Sequence, residues 1–266
     1  MFHIFTDIID FIQSRYVSKN RKFRSFADLV AFMQSRYVPE KGGYRRDDGS
    51  IDICHTELEL LQMWNFFIKC VKPKTIVETG VYYGLSTCFL ADALQYNGIA
   101  DSRIYCVDPW KLEHYWNGLD IEKYIKYIPK TSQEAQDEIK SLEIDILFID
   151  SIHTYDQSSW ELTTFEPYLR EGGYVVMHDS LFFDGVGRTA KHLYDSPRFE
   201  VLTIDTPRKY ETDNIHYPVS QGCTIARKIR NGSPILRDAE WIPLPEGHPR
   251  GPDPLLRMWA KERSDA

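Results

Sequence analysis

Four acidic residues stand where short apolar runs end. Glu78 closes Thr75-Ile-Val-Glu78, Asp108 closes Arg103-Ile-Tyr-Cys-Val-Asp108, Asp150 closes Ile144-Asp-Ile-Leu-Phe-Ile-Asp150, and Asp179 closes Tyr174-Val-Val-Met-His-Asp179. Each run has the length and composition of a buried strand. In a parallel sheet such ends share one edge, which is where open α/β sheets bind ligands. One acid there is an ordinary loop cap. Four leave a negative charge that calls for hydroxyls, amines or a divalent ion. His153 lies three residues after Asp150, and His178 directly precedes Asp179. An imidazole near its ordinary pKa can take a proton from a hydroxyl at neutral pH. Asp150 and His153 are therefore the candidate catalytic pair.

The first of these runs leads into Thr79-Gly-Val-Tyr-Tyr-Gly-Leu-Ser86, a turn with two glycines before a helix. Glycine lets a backbone approach a ligand closely, and a helix N-terminus offers unpaired N–H groups. Glu78, Gly80, Tyr83, Gly84 and Ser86 are cofactor-binding candidates on that ground. Asp108 follows Gly84 by 24 positions, a spacing that suits an acid accepting both hydroxyls of a ribose. The dinucleotide fingerprint G-x-G-x-x-G is absent, which argues against a nicotinamide oxidoreductase.

The elements that must position these residues alternate. Helices are expected from a Thr56/Glu59 capping box to near Lys72-Pro73, and over Ser86–Leu94, Thr131–Leu142, Gln157–Leu169 and Val186–Tyr194. Phe199–Ile204 and Cys223–Lys228 read as a late strand pair, while Trp110–Tyr127 resists assignment. Alternation of this kind means a mostly parallel sheet with helices on both faces. Ahead of it, Phe11-Ile-Gln-Ser-Arg-Tyr-Val17 is echoed by Phe32-Met-Gln-Ser-Arg-Tyr-Val38, so two amphipathic helices are expected. The domain reading is a helical arm over 1–50, a ligand-binding domain over 51–230 and a wrapping tail over 231–266. Either extension could serve a homo-oligomer.

Composition narrows the class. At 266 residues and 42% hydrophobic, the chain can build a sizeable core. A net charge of −7 without a Lys/Arg run excludes nucleic acid as the expected partner. Five isolated cysteines read as reduced thiols, pointing to a cytoplasmic protein. The N-terminal apolar stretch carries Asp7 and Asp10, so neither a signal peptide nor a membrane span is expected. Tyr155 is the preferred pocket residue among the many aromatics.

Val77-Glu-Thr-Gly-Val-Tyr-Tyr-Gly-Leu-Ser86, Val107-Asp-Pro-Trp110, Phe148-Ile-Asp-Ser-Ile-His-Thr-Tyr155 and Leu169-Arg-Glu-Gly-Gly-Tyr-Val-Val-Met-His-Asp179 together resemble a class I S-adenosylmethionine-dependent methyltransferase. The branch is similar to the macrolide-sugar O-methyltransferases and cephalosporin-type methylation proteins. The resemblance covers about residues 55–230. It implies a Rossmann-like seven-stranded sheet with a late antiparallel hairpin. It gives Glu78, Gly80 and Ser86 to the methionine half of the cofactor and Asp108 to its ribose. Trp110 and Ser132 would lie near the adenine, and Asp150 also contacts the cofactor region. Asp150 and Asp179 would hold Mg2+ or Mn2+. His178 is the weak third metal candidate, since imidazole is a poor magnesium ligand. His153 takes the place of a proposed base. The implied reaction is methyl transfer to a hydroxyl, foremost on a sugar of a natural product or glycan. A phenol or catechol acceptor and a non-catalytic cofactor-binding partner protein are the alternatives.

Overall fold

The structure, a computed structural model, describes residues 23–39, 43–47, 49–52, 55–206, 220–233 and 235. The first copy of the repeated segment and nearly all of the C-terminal tail lie outside the described residues. The chain forms two compact units, one of residues 1–74 and 81–131, the other of 75–80 and 132–266.

In the first unit, α1 (Phe26–Arg36) starts at Ser25, whose side chain accepts from the Asp28 N–H, and it buries Leu29 and Met33. The second copy of the repeat is thus only partly helical: Tyr37 and Val38 leave the helix as strand β1 (Tyr37–Val38). With β2 (Gly43–Arg45) and β3 (Ile51–Asp52) it makes a small antiparallel sheet that the sequence did not suggest. Helix α2 (Leu58–Val71) buries Leu61, Trp64 and Ile68 and stops at Lys72 in a left-handed conformation. The expected capping box does not form. Glu57 is the N-cap, which moves Glu59 one place too early, and its carboxylate accepts instead from the Tyr37 hydroxyl at 2.7 Å. Helix α3 (Leu85–Asn97) is buried nearly all round and packs on α2 through Asn65, which donates to the Phe89 carbonyl and to Asp92. Strands β5 (Arg103–Val107) and β6 (Ile125–Ile128) pair in parallel. Strand β6 is the element missed in Trp110–Tyr127. Its four residues are mostly half-exposed, so its apolar signal is short and broken.

The second unit holds β4 (Thr75–Thr79), α4 (Gln136–Lys140), β7 (Ile144–Ile149), α5 (Tyr155–Phe165), β8 (Leu169–His178), α6 (Asp184–Asp195), β9 (Phe199–Ile204) and β10 (Cys223–Lys228). β4, β7 and β8 run parallel, and β10 is antiparallel to both β8 and β9. The inner strands read as continuous apolar runs because both of their faces are covered. The seven strands follow the order β6-β5-β4-β7-β8-β10-β9, the expected mostly parallel α/β sheet with a late antiparallel pair. Three boundaries differ from expectation. The helix expected over Gln157–Leu169 is α5, which ends at Phe165, and Leu169 opens β8. The helix expected over Thr131–Leu142 shrinks to α4, because Ser132 is tied down by a side-chain hydrogen bond to Glu161. Gly172 and Gly173 sit inside β8 rather than before it, at a register shift against β7, with Gly172 at φ 78°. They form a bulge, not a stop. Among the described residues, no helix is long and apolar enough to cross a membrane.

The base of the hairpin is fixed by buried charge. Arg198 donates to both oxygens of Glu166 at 2.8 and 3.0 Å. Lys228 lies 3.0 Å from the same carboxylate and donates to the carbonyls of Glu166 and Leu169. Breaking one partner of a buried charge network costs roughly 3–5 kcal/mol. Arg198→Met should lower the unfolding free energy by about that much, read from urea denaturation.

Candidate active site

The ends of β7 and β8 bring a compact group together in the second unit. The Asp150 N–H donates to the Thr79 carbonyl at 3.0 Å, extending the β4–β7 pairing by one residue. Its carbonyl then passes so close to Gly80, at φ 77°, that an added Cβ there would lie 2.1 Å from the Asp150 oxygen. Gly80 is therefore demanded by strand-end packing. Three residues on, His153 turns its Nε2 to 3.0 Å from Asp179 Oδ2 and 3.7 Å from Asp150 Oδ1. Its ring stacks on Phe183, with centroids 4.2 Å apart and planes 6° from parallel.

Asp179 is one of few non-glycine residues with positive φ, at 58°. Its carbonyl accepts from Phe182 and Phe183 at 3.2 and 3.0 Å. The same turn that aims the Asp179 carboxylate at His153 thus lays Phe183 under the imidazole. A sparsely populated backbone conformation of this kind costs of order 1–3 kcal/mol and is concentrated at functional sites. Behind it, the first turn of α6 presses on the His153 loop. A Cβ on Gly185 would meet the His153 carbonyl at 2.7 Å and the Tyr155 nitrogen at 2.4 Å.

Ligating atoms of Asp150, His153 and Asp179 all lie within 4.8 Å of one another. Asp179 is buried, and its Oδ1 has no hydrogen-bond partner. His178 is not in this trio. Its Nδ1 faces Asp150 Oδ1 at 3.1 Å, so it orients and charges that carboxylate from behind. The sequence named His178 as third metal candidate; the imidazole that converges with the ligating atoms of Asp150 and Asp179 is that of His153. Burial pushes the Asp150 carboxyl up. The His178 charge, hydrogen bonds from His153 and His178, and the His153 charge outweigh it and hold the carboxyl well below its usual range. A site of this make-up can hold a divalent cation or move a proton between imidazole and carboxylate.

One residue that the sequence reading passed over sits beneath the group. Glu161 on α5 is fully buried and accepts from Ser132, Ser151, Gln157 and Thr79. Burial raises its carboxyl, and the four hydrogen bonds offset part of that. The signal was available: an acid shares the buried face of α5 with Ser158, Leu162 and Phe165. Ser132, given to the adenine, spends its hydroxyl on Glu161. Glu78 is buried in β4. Tyr155, the preferred pocket residue, is buried, with its hydroxyl 2.8 Å from His192. An open groove of about 360 Å³ is lined by Gln133, Ile152, Thr154, Asp156, Gln157 and Trp160.

The first unit carries the remaining candidates. Asp108 Oδ2 accepts from the N–H groups of Val81 and Tyr82 at 2.7 and 2.9 Å, and Oδ1 from Trp110 at 2.8 Å. Burial raises this carboxyl, while those three donors work against the rise. Asp108 thereby ties the glycine turn to the end of β5. Gly84, at φ 75°, opens α3, and a Cβ on it would meet the Trp116 ring at 1.9 Å. Ser86 is buried in the first turn of α3. Tyr83 packs with Leu112, and Tyr82, Trp110 and Tyr115 surround them half-buried. His114 stacks on Trp116 at 4.0 Å.

Residues 77–180 match the model of a methyltransferase-domain family. The curated protein y4gI of Sinorhizobium fredii, described as uncharacterized, is 26% identical over 131 residues, 44% of this chain. The aligned stretch spans only 14% of that relative. Among solved structures, an O-methyltransferase from Bacillus cereus in complex with SAH superposes with a TM-score of 0.55 at 12% identity, covering 86% of this chain and all 100% of that one. The O-methyltransferase TomG from Streptomyces achromogenes, in complex with SAM, gives 0.54 at 14% identity, covering 84% and 96%. At such identities the likeness shows a shared fold, that of the methyltransferases.

Two outcomes follow from the packing. Gly185→Ala should destabilise the protein by about 1–3 kcal/mol, since backbone cannot yield to the new Cβ; a thermal melt measures it. Burial lowers the His114 pKa from 6.5 to about 4. The folded protein thus binds this proton more weakly than the unfolded chain. Its contribution is full above pH 6.5 and is lost as pH falls toward about 4. Over that window Tm should fall more steeply in the wild type than in His114→Phe, which keeps the stack.

Proposed function

We propose that the chain transfers a methyl group from S-adenosylmethionine to a hydroxyl oxygen, with His153 as the base. The observation that carries this reading is the Asp150–His153–Asp179 group at strand ends within the methyltransferase-domain match. His153 Nε2 stands 3.0 Å from Asp179 Oδ2. At that distance the neighbouring anion stabilises the imidazolium formed on proton uptake. The acceptor oxygen bonds to the methyl carbon as the carbon–sulfur bond breaks. The bonding pair goes to sulfur and the hydroxyl proton to His153. The products are a methyl ether and S-adenosylhomocysteine. Alignment of the sulfonium methyl with the oxygen supplies much of the rate.

The cofactor roles of Glu78, Gly80, Tyr83, Gly84, Ser86, Asp108, Trp110, Ser132 and Asp150 belong to this proposal. So does a sugar hydroxyl as acceptor, which the sequence resemblance favours. The TomG neighbour, involved in tomaymycin synthesis, supports S-adenosylmethionine as donor. The location we propose is the cytoplasm. A homo-oligomer through the arm or tail also belongs to this proposal; the first part of the arm and nearly all of the tail lie outside the described residues. The residues present also fit a divalent cation. Asp150 and Asp179 would hold it, and the partnerless buried Asp179 Oδ1 is the atom best explained by one. An imidazole beside the carboxylates favours manganese over magnesium. When bound, such a cation lowers the pKa of a hydroxyl.

Isothermal titration with S-adenosylhomocysteine and NAD should show binding of the first alone. Radiolabelled S-adenosylmethionine should then methylate a member of a panel of glycosides and catechols. His153→Ala should lower turnover by about 10²–10⁴-fold with S-adenosylhomocysteine affinity within about twofold. Lost cofactor affinity instead would make His153 a cofactor contact. Dialysis against a chelator separates the two roles of the cluster: full activity afterwards removes the metal, and loss restored by Mn2+ establishes it. Cofactor binding with no turnover across the panel would make the chain a non-catalytic partner protein.

A further inference from the structure

Glu161 is a fully buried acid of the second unit, and its carboxylate is met by hydroxyls and a side-chain amide. Its Oε1 accepts from Ser132 Oγ at 2.5 Å and Gln157 Nε2 at 2.8 Å. Its Oε2 accepts from Ser151 Oγ at 2.8 Å and Thr79 Oγ1 at 3.0 Å. A carboxylate offers about four lone-pair sites, and all are taken. If packing alone were needed here, an apolar side chain would serve with less desolvation. The donors also come from separate parts of the chain. Thr79 lies between Glu78 and Gly80, Ser151 directly follows Asp150, and Ser132 lies in the turn before α4. Each is therefore next to, or is, a residue of the candidate site.

We propose that Glu161 is a positioning residue for methyl transfer: one buried carboxylate that sets the Glu78–Gly80 strand end, the Ser132 turn and the Asp150–His153 loop in a common frame. The proposal rests on the methyltransferase reading above. Sites of this kind work only when their groups are held to within about 0.5 Å. Each hydroxyl is a short stalk on its own backbone segment, so the carboxylate fixes backbone rather than a flexible side-chain tip. The close approach of the Asp150 carbonyl to Gly80 adds to this. Two of the segments are locked together by backbone packing, and Glu161 joins the third to them. Its own place is set by α5, whose N-cap Thr154 adjoins His153. The helix that follows the catalytic loop thus reaches back to hold that loop's beginning.

The test uses the full chain and S-adenosylhomocysteine as probe, by isothermal titration, with circular dichroism and Tm for each variant. The wild type should bind. Glu161→Leu should weaken binding tenfold or more, and Glu161→Gln should recover affinity to within about threefold, because it keeps the shape and one acceptor oxygen. Ser151→Ala should stay within about twofold of wild type and instead speed amide exchange over residues 150–155, since that arm serves the base loop. This split between arms is what a general loss of stability would not give. Wild-type affinity in folded Glu161→Leu overturns the proposal, as does an equal loss in Ser151→Ala and Glu161→Leu that tracks Tm. If Glu161→Leu does not fold, Thr79→Val decides: threefold or weaker binding supports the proposal, and wild-type affinity overturns it. A folded wild type that fails to bind at all removes the methyltransferase reading itself, and this proposal with it.

Discussion

Two carboxylates placed side by side repel, and the ends of β7 and β8 are built around the answer to that repulsion. Asp150 and Asp179 share a small space with His153, and His178 stands behind Asp150. The imidazoles supply hydrogen bonds and, when protonated, the opposing charge. Everything near the group serves to keep it assembled. Gly80 lets the Asp150 carbonyl come close, Gly185 lets α6 press on the His153 loop, and the turn at Asp179 carries Phe183 under the ring.

Among the buried acids described above, burial is met in four different ways. Asp108 is met by backbone N–H groups, Glu161 by hydroxyls and an amide, and Glu166 by Arg198 and Lys228. Backbone amides and a guanidinium do not give up protons near neutral pH, and hydroxyls do so only with difficulty. Only the imidazole solution, at Asp150 and Asp179, leaves a proton that can move under ordinary conditions.

The sheet was legible because its inner strands are buried on both faces, so Ile144–Ile149 and Tyr174–His178 read as unbroken apolar runs. The acids at their ends were legible for the same reason, as the points where apolar character stops. Strand β6 was not, because a short, half-exposed strand leaves no period to count. The capping box at Thr56 failed because Glu59 is held by Tyr37, a residue 22 positions away that no local pattern reveals. The chain ranked His153 above His178 as a base, but it could not show which ring faces both carboxylates, since that depends on how each ring turns. Glu161 was hidden by its charge: acids on helices usually face water, and only the burial of its neighbours on α5 marks it as inward.

Asp179 has a consequence of another kind. Its left-handed backbone suits glycine or asparagine better than aspartate, so the residue sits where stability and chemistry favour different side chains. Substitution by glycine would relieve the backbone and remove a buried carboxylate in one step. A lineage freed from selection for catalysis would drift toward a sturdier protein at this position, and a directed-evolution screen scored on heat resistance alone would discard the carboxylate early. Under the proposed function, position 179 is a place where selection for activity would be told apart from selection for folding.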